Sequence, residues 1–426
     1  MKLTLNSFPV DEIAESRRTG LDGRRLLLNR RELRDLLLRD GRLGSVEIDL
    51  VRPGESCRIV NILDIFEPRI KASGGGEAFP GILGPARLAG SGTTHALRGM
   101  CVVTCGSLDG AEDALLDMAG PCADLSRFSG LKGVVVTLTF AEGLSRAESA
   151  RAAVEAGVRA SLFLGELLGE AARTQAPEAS EVFELSAPSR AAGLDPSLPR
   201  IAYVYPLYSQ GDARDMLLYG RNTRDLLPTL IHPNEVMDGA VVWSGFCRPT
   251  KNPTYDHLNH AVLRTLYAAH GKSIVFAGTI VANHPKHFTE KTLHAAMMAR
   301  LAEDVLGADG VIITKDSGGQ ADTDLMQICE QCEERGVKTV LLTMEFAGDR
   351  GSSAGSLVDA SPRADAIVSV GNCAETVRLP RMERVVGGAR LKDFAQDPRD
   401  PVEVSYNKIP GAVGMLGGNA LTAWEV

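Results

Sequence analysis

The chain has 426 residues, too many for one ordinary hydrophobic core, so two or three domains are expected. At 44% hydrophobic and 23% charged residues it has the make-up of a soluble globular protein, and its formal net charge of −8 argues against nucleic acid or an anionic membrane as main partner. No run of about eighteen apolar residues occurs, and the first residues lack the apolar core of a signal peptide, so neither a membrane span nor secretion is expected. Eight cysteines, at 57, 101, 105, 122, 247, 329, 332 and 373, are scattered along the chain, which predicts reduced thiols in the cytoplasm and not a disulfide framework.

The first part reads as β-rich and irregular. Residues 44–51 alternate like a half-buried strand, and residues 58–65 read as another. From Glu67 to Gly92 the chain is rich in glycine and proline, a length and composition more often functional than connective. Strands are predicted again at 100–104 and 133–140, then a helix over about 144–173 on a 3.6-residue period. Residues 174–199, rich in Pro, Ser and Glu, are predicted to be a linker.

The second half changes character. Short apolar runs at 200–205, 273–278, 310–314, 338–343 and 366–370 alternate with helical patterns at 257–270, 289–306 and 321–335. Continuous apolar strands with helical crossovers predict a parallel sheet buried on both faces. The fold expected is therefore α/β. An irregular β-rich N-terminal domain covers 1–195, and a C-terminal parallel-sheet, Rossmann-like α/β domain covers 196–426. Ligands of such sheets lie beyond the carboxyl ends of the strands. Those ends carry Asp316 and Glu345, as a polar small-molecule site requires.

Between the halves lies Cys247, in Trp243-Ser-Gly-Phe-Cys-Arg-Pro-Thr-Lys-Asn-Pro-Thr-Tyr255. Its prolines and glycine exclude a core helix. A thiolate on such a segment is the strongest nucleophile among the common side chains, although a lone cysteine is by itself a weak signal.

The chain resembles the proprotein of the substrate-specific component B of the glycine, sarcosine and betaine reductases. The resemblance covers nearly the whole chain. It rests on Val51-Arg-Pro-Gly-Glu-Ser56, Glu67-Pro-Arg69, Gly74-Gly-Gly76, Phe79-Pro-Gly81 and Gly90-Ser-Gly-Thr-Thr-His95. It continues through Asp117-Met-Ala-Gly-Pro121, Pro228-Thr-Leu-Ile231, Glu235-Val-Met-Asp-Gly-Ala240, Lys251-Asn-Pro-Thr-Tyr255 and Ala321-Asp-Thr-Asp-Leu325. It implies self-cleavage between Phe246, which supplies the scissile carbonyl, and Cys247, which becomes a pyruvoyl group. Residues 1–246 and 247–426 would then be two associated subunits. The pyruvoyl carbonyl is expected to capture or activate a small amine for reductive C–N cleavage. His257 and His260, near the cysteine, are proton-shuttle candidates. Arg69, His95, Tyr255, Asp322, Asp324 and Glu345 are the expected substrate-binding residues. The implied partners are a component B subunit carrying selenocysteine or cysteine, a small selenoprotein or thiol carrier, and the amine or zwitterion substrate. No metal or nucleotide is predicted. Two alternatives stand beside this reading: a divergent relative reducing a C–N or C–S bond of another small zwitterion, and an unprocessed binding or assembly subunit in which Cys247 stays a thiol.

Other signals have plainer explanations. Cys329 and Cys332 sit within a predicted helix, where a redox pair would normally open one. Cys373 lies beyond the last strand and breaks the order of the surrounding motifs. His284 and His287 read as a solvated loop, with no acidic partner close in sequence. The glycines of 74–92 match no phosphate loop; they are either irregular backbone or a carboxylate-binding loop with Arg69 and His95.

Overall fold

The computed structural model describes residues 1–74, 76–108, 114–186, 194–208, 215–243, 252–316, 318–346, 360–388, 397–419 and 421–425. Two four-stranded sheets build most of the N-terminal half. One has the order Ala179–Glu184, Lys2–Pro9, Gly92–Arg98, Arg69–Ser73; the other Leu43–Val51, Lys132–Phe140, Met100–Gly106, Ile62–Phe66. The helix Arg146–Gly165 opens on a reciprocal cap between Ser145 and Glu148, and its alanines face the sheets. It can lie close because Gly157 meets Phe66: a Cβ there would stand 2.3 Å from the ring.

Two expectations fail here for local reasons. The run 58–65 is two strands, Cys57–Val60 and Ile62–Phe66, because Asn61 turns the backbone to φ 54°. The expected linker contains the strand Ala179–Glu184, which pairs with Lys2–Pro9 at a sheet edge. Only Phe183 of that strand is fully buried, so its sequence carries no apolar alternation to read.

The second half is organised by five parallel strands: β1 (Arg200–Leu207), β2 (Val275–Asn283), β3 (Gly310–Ile313), β4 (Lys338–Glu345) and β5 (Ala366–Asn372). Their order in the sheet is 2-1-3-4-5. The sheet is mixed, not wholly parallel, since Thr229–Ile231 runs antiparallel on β2 and Thr422–Glu425 antiparallel on β5. Nor is the order that of a dinucleotide-binding Rossmann sheet. Helices α1 (Thr254–Leu258), α2 (Ala261–Ala269), α3 (Phe288–Arg300) and α4 (Gln320–Glu333) lie between the strands. The helix expected over 257–270 is thus two, broken at Asn259 and restarted by His260, whose side chain caps α2. After β1 the chain moves to one side, to β2, and then returns across β1 to β3. The crevice where a ligand is expected therefore opens at the carboxyl ends of β1 and β3.

The end of the chain goes back to the N-terminal half. Arg384–Val386 runs parallel to Cys57–Val60. Beside it Arg58, fully buried, makes a two-pronged bond to Asp117 at 2.6 and 2.9 Å. Its remaining donors reach the carbonyls of Pro380, Pro398 and Asp400 at 2.8–2.9 Å. A buried arginine is tolerable only when its charge and all its donors are matched. Asp117→Ala should therefore cost about 3–5 kcal/mol in urea denaturation. A loss under 1 kcal/mol would show that this pair does not hold the C-terminal segment.

Candidate active site

Asp64, on Ile62–Phe66, is buried and reaches across the molecule to the start of α1. Its carboxylate accepts from the Thr254 backbone N–H at 2.8 Å and from the Thr254 hydroxyl at 2.6 Å. Thr254 Oγ1 in turn accepts from the backbone N–H of Trp243 at 2.9 Å. Trp243 and Asn252 are the residues on either side of 244–251, and both are buried. Three side-chain and backbone groups thus pin the two ends of the Cys247 segment to each other and to the N-terminal half. Cys247 and Phe246 lie outside the described residues. Burial pushes the Asp64 carboxyl up to about 7, against the bonds from Thr254 and Ile65 that favour its ionised form.

From Asn252 the contacts continue into the crevice. Its amide donates to Asp316 at 3.2 Å, and its carbonyl lies 3.0 Å from His257 Nε2. A carbonyl only accepts, so Nε2 carries the proton and Nδ1 accepts from the hydroxyl of Tyr205 on β1. His260 is likewise defined. Its Nδ1 faces the Leu263 N–H, so Nε2 donates to Tyr203, 3.0 Å away, and Tyr203 donates to Thr314 at 2.7 Å. Burial pushes His257 down to about 3 and His260 well below its ordinary value, while both tyrosines are held far above theirs. Two neutral imidazoles, with their tautomers set, therefore line the ends of β1 and β3. Next to Thr314, Lys315 is 1% exposed and paired with Asp322 on α4. Burial pushes its ammonium down to about 7, with the Cys373 thiol opposing that shift.

The other expected residues divide. Asp324 is buried on α4 and accepts from Lys291 at 2.6 Å and from His284 at 2.9 Å. Glu345, half-buried at the end of β4, accepts from the Ser369 hydroxyl. Arg69 is committed to the interior: Glu67, the carbonyls of Met237 and Leu258, and the Asn259 side chain take its donors. Tyr255 packs edge-on to Phe128 with ring centroids 5.4 Å apart, in a core shared by the N-terminal half and the C-terminal segment. His95 stands on Gly92–Arg98, against Phe8. The glycine-rich stretch is tied down beneath Asp238, which takes the Gly90 N–H at 2.8 Å, and beneath Tyr219, which takes the Ala89 N–H. Cys329 and Cys332 are buried core thiols, Cys332 pushed up to about 12 by desolvation. Sequence reasoning missed Asp64, Asn252, Tyr203, Tyr205 and Lys315. The last follows an expected strand, and that position was the available signal.

The family described as glycine/sarcosine/betaine reductase component B subunits matches residues 1–398. The chain belongs to this family. It is 37% identical over 434 residues to the glycine reductase complex component B subunits alpha and beta of Acetoanaerobium sticklandii, covering 99% of each. It is 37% identical over 388 residues to the sarcosine reductase complex component B subunit alpha of Peptoclostridium acidaminophilum, covering 91% of this chain and 89% of that one. The betaine reductase complex component B subunit alpha of the same organism is 34% identical over 445 residues, covering 100% and 98%. No solved structure matches. The family is that of component B subunits, and the names of these relatives place them in glycine, sarcosine and betaine reductase complexes. Among the described residues no helix is long and apolar enough to cross a membrane.

The Asp64 shift has a stability consequence. Its unfolded carboxyl titrates near 3.9 and its folded one at about 7, so the folded state keeps a proton that the unfolded state loses. The stabilisation is full below about pH 4 and is lost as pH rises through about 7. Buried His257 and His260, held neutral in the fold, change stability in the opposite sense over this range, so the Asp64 contribution is read by comparison: from pH 5 to pH 8 the wild type should lose stability relative to Asp64→Asn in urea denaturation. Equal pH dependence in both proteins would remove Asp64 as the cause.

Proposed function

We propose that this subunit cuts its own chain between Phe246 and Cys247, and that the new terminus is a pyruvoyl group serving reductive C–N cleavage of a small amine or zwitterion. The observation that carries the reading is the clasp at the ends of 244–251, which ties Trp243 to Thr254 and Thr254 to Asp64. A chain that is to attack its own backbone needs the segment's ends held so that a sulfur and a carbonyl carbon meet often. The name of the Acetoanaerobium relative adds support, since it gives two subunits, alpha and beta, to one chain of matching length.

The chemistry balances without an oxidant. Cys247 Sγ bonds to the Phe246 carbonyl carbon as the amide C–N bond breaks, giving a thioester and a free amine. Elimination of the Cβ–S bond releases residues 1–246 as a thioacid and leaves dehydroalanine. Its imine tautomer takes up water and loses ammonia; the thioacid takes up a second water and loses hydrogen sulfide. These steps need groups that exchange protons near neutrality. Asp64, brought to about 7 by burial and bonded to Thr254 where the segment returns, is the candidate for that role. His257 is a positioning residue here, because its Nε2–H fixes the Asn252 carbonyl at the segment's returning end.

The residues that flank the segment, Trp243, Asn252 and Thr254, are buried and hydrogen-bonded, and the thiol precursor stands in the sequence between them, which supports a pyruvoyl group formed from Cys247. Once formed, the group supplies an electron-poor carbonyl with no amino terminus beside it. The chain's own residues hold charges at the crevice, Lys315 against Asp322 and Asp324 against Lys291. A partner subunit with a selenol or thiol, and a small carrier to take the carbon fragment, complete the reaction. On a denaturing gel the wild-type chain should give two fragments, the smaller refractory to Edman degradation and labelled by hydrazine. Cys247→Ala should give one full-length band. Splitting of that variant, or an intact wild type with Cys247 open to alkylation, overturns the proposal.

A further inference from the structure

His284 follows the last residue of β2, and its backbone N–H donates to the carbonyl of Leu207, the last residue of β1, at 3.2 Å. The sequence suggested a solvated loop without an acidic partner. The structure corrects this for His284, which is only 6% exposed, while His287 is exposed. The acid comes from α4: His284 Nδ1 lies 2.9 Å from Asp324 Oδ2. Because α4 follows β3, this contact passes over the carboxyl end of β1, across the crevice.

The tautomer follows from the partners. Asp324 Oδ2 also accepts from Lys291 Nζ at 2.6 Å, so the carboxylate is ionised and Nδ1 must be the donor. Lys291 already balances the Asp324 charge. A second buried cation on His284 would have no counter-charge, which favours the neutral ring. Nε2 then holds a lone pair. It is buried, and it has no hydrogen-bond partner among the described residues. An unmet buried acceptor costs roughly 1–3 kcal/mol, so a donor brought to Nε2 would bind favourably there. The donor has to be an N–H or an O–H, since a carboxylate has no hydrogen to give.

Resting on the reductase reading above, we propose that His284 Nε2, set as an acceptor by Asp324, receives an N–H of the substrate's amino group. It would therefore select zwitterions whose nitrogen carries hydrogen over fully methylated ones. His284 becomes a substrate-binding and specificity residue, and Asp324 its positioning residue. The probes follow from the chemistry. Glycine has both an ammonium and a carboxylate, betaine has no N–H, and acetate has no nitrogen.

Titration calorimetry on the full-length protein tests the proposal. His284→Phe should weaken glycine at least about tenfold, the loss of one hydrogen bond to a charged group, and leave betaine and acetate unchanged. His284→Gln, whose amide oxygen can accept, should recover part of the glycine affinity, and thermal melts show whether either variant has merely lost its fold. Equal weakening of all three ligands, no weakening of glycine, no glycine binding by the wild type, or no recovery in a folded Gln variant overturns the assignment. A gel of the same samples separates the two claims. An unsplit chain with His284-dependent glycine binding removes the cleavage reading alone, and a split chain without that dependence removes this one alone.

Discussion

The arrangement depends on one carboxylate. Asp64 comes from the N-terminal half, receives two hydrogen bonds from Thr254, and through Thr254 Oγ1 holds Trp243. This clasp determines where the Cys247 segment leaves the core and where it returns. It also binds the start of α1 to the N-terminal sheets, which puts His257 under Asn252 and against Tyr205. If the clasp opened, the segment would lose its fixed ends, and the crevice would lose one wall. The carboxylate is held at a desolvation cost, and that cost makes it a group able to exchange a proton near neutrality.

A second constraint is that the two halves are interlaced and do not merely touch. Arg58 holds carbonyls from beyond residue 379, and Arg69 holds those of Met237 and Leu258. Arg384–Val386 extends an N-terminal sheet. A chain cut at 246/247 would keep all of these contacts except those made by the segment itself. Buried ion pairs give little net stability compared with apolar packing, but removing one partner is expensive. Fragments made by the proposed cut would be held together by these contacts.

The five parallel strands were readable because strands buried on both faces are continuous apolar runs, such as Gly310-Val-Ile-Ile313. The edge strands Thr229–Ile231 and Ala179–Glu184 were not, because they are short or polar and are defined by their neighbours. The same division runs through the site. Asp322 and Asp324 stood out at the start of a helix and Cys247 in its punctuated segment. Asp64 and Thr254 did not, since 190 residues separate them and neither is unusual locally. His284 was misjudged because its acid lies 40 residues away, on the far side of β1. Arg69 was legible as part of a motif, but its role depends on Glu67 and on carbonyls that only the fold brings near.

The central claim is that the clasped segment breaks its own backbone at Cys247 and keeps both pieces. Intact mass under denaturing conditions, compared with size under native conditions, tests it most directly. The account predicts two polypeptides, 1–246 and 247–426, that run together natively. Their summed mass should differ from the unprocessed chain by a gain of two waters and a loss of ammonia and hydrogen sulfide. A single polypeptide of unprocessed mass, or two whose sum shows only the gain of water, would contradict it.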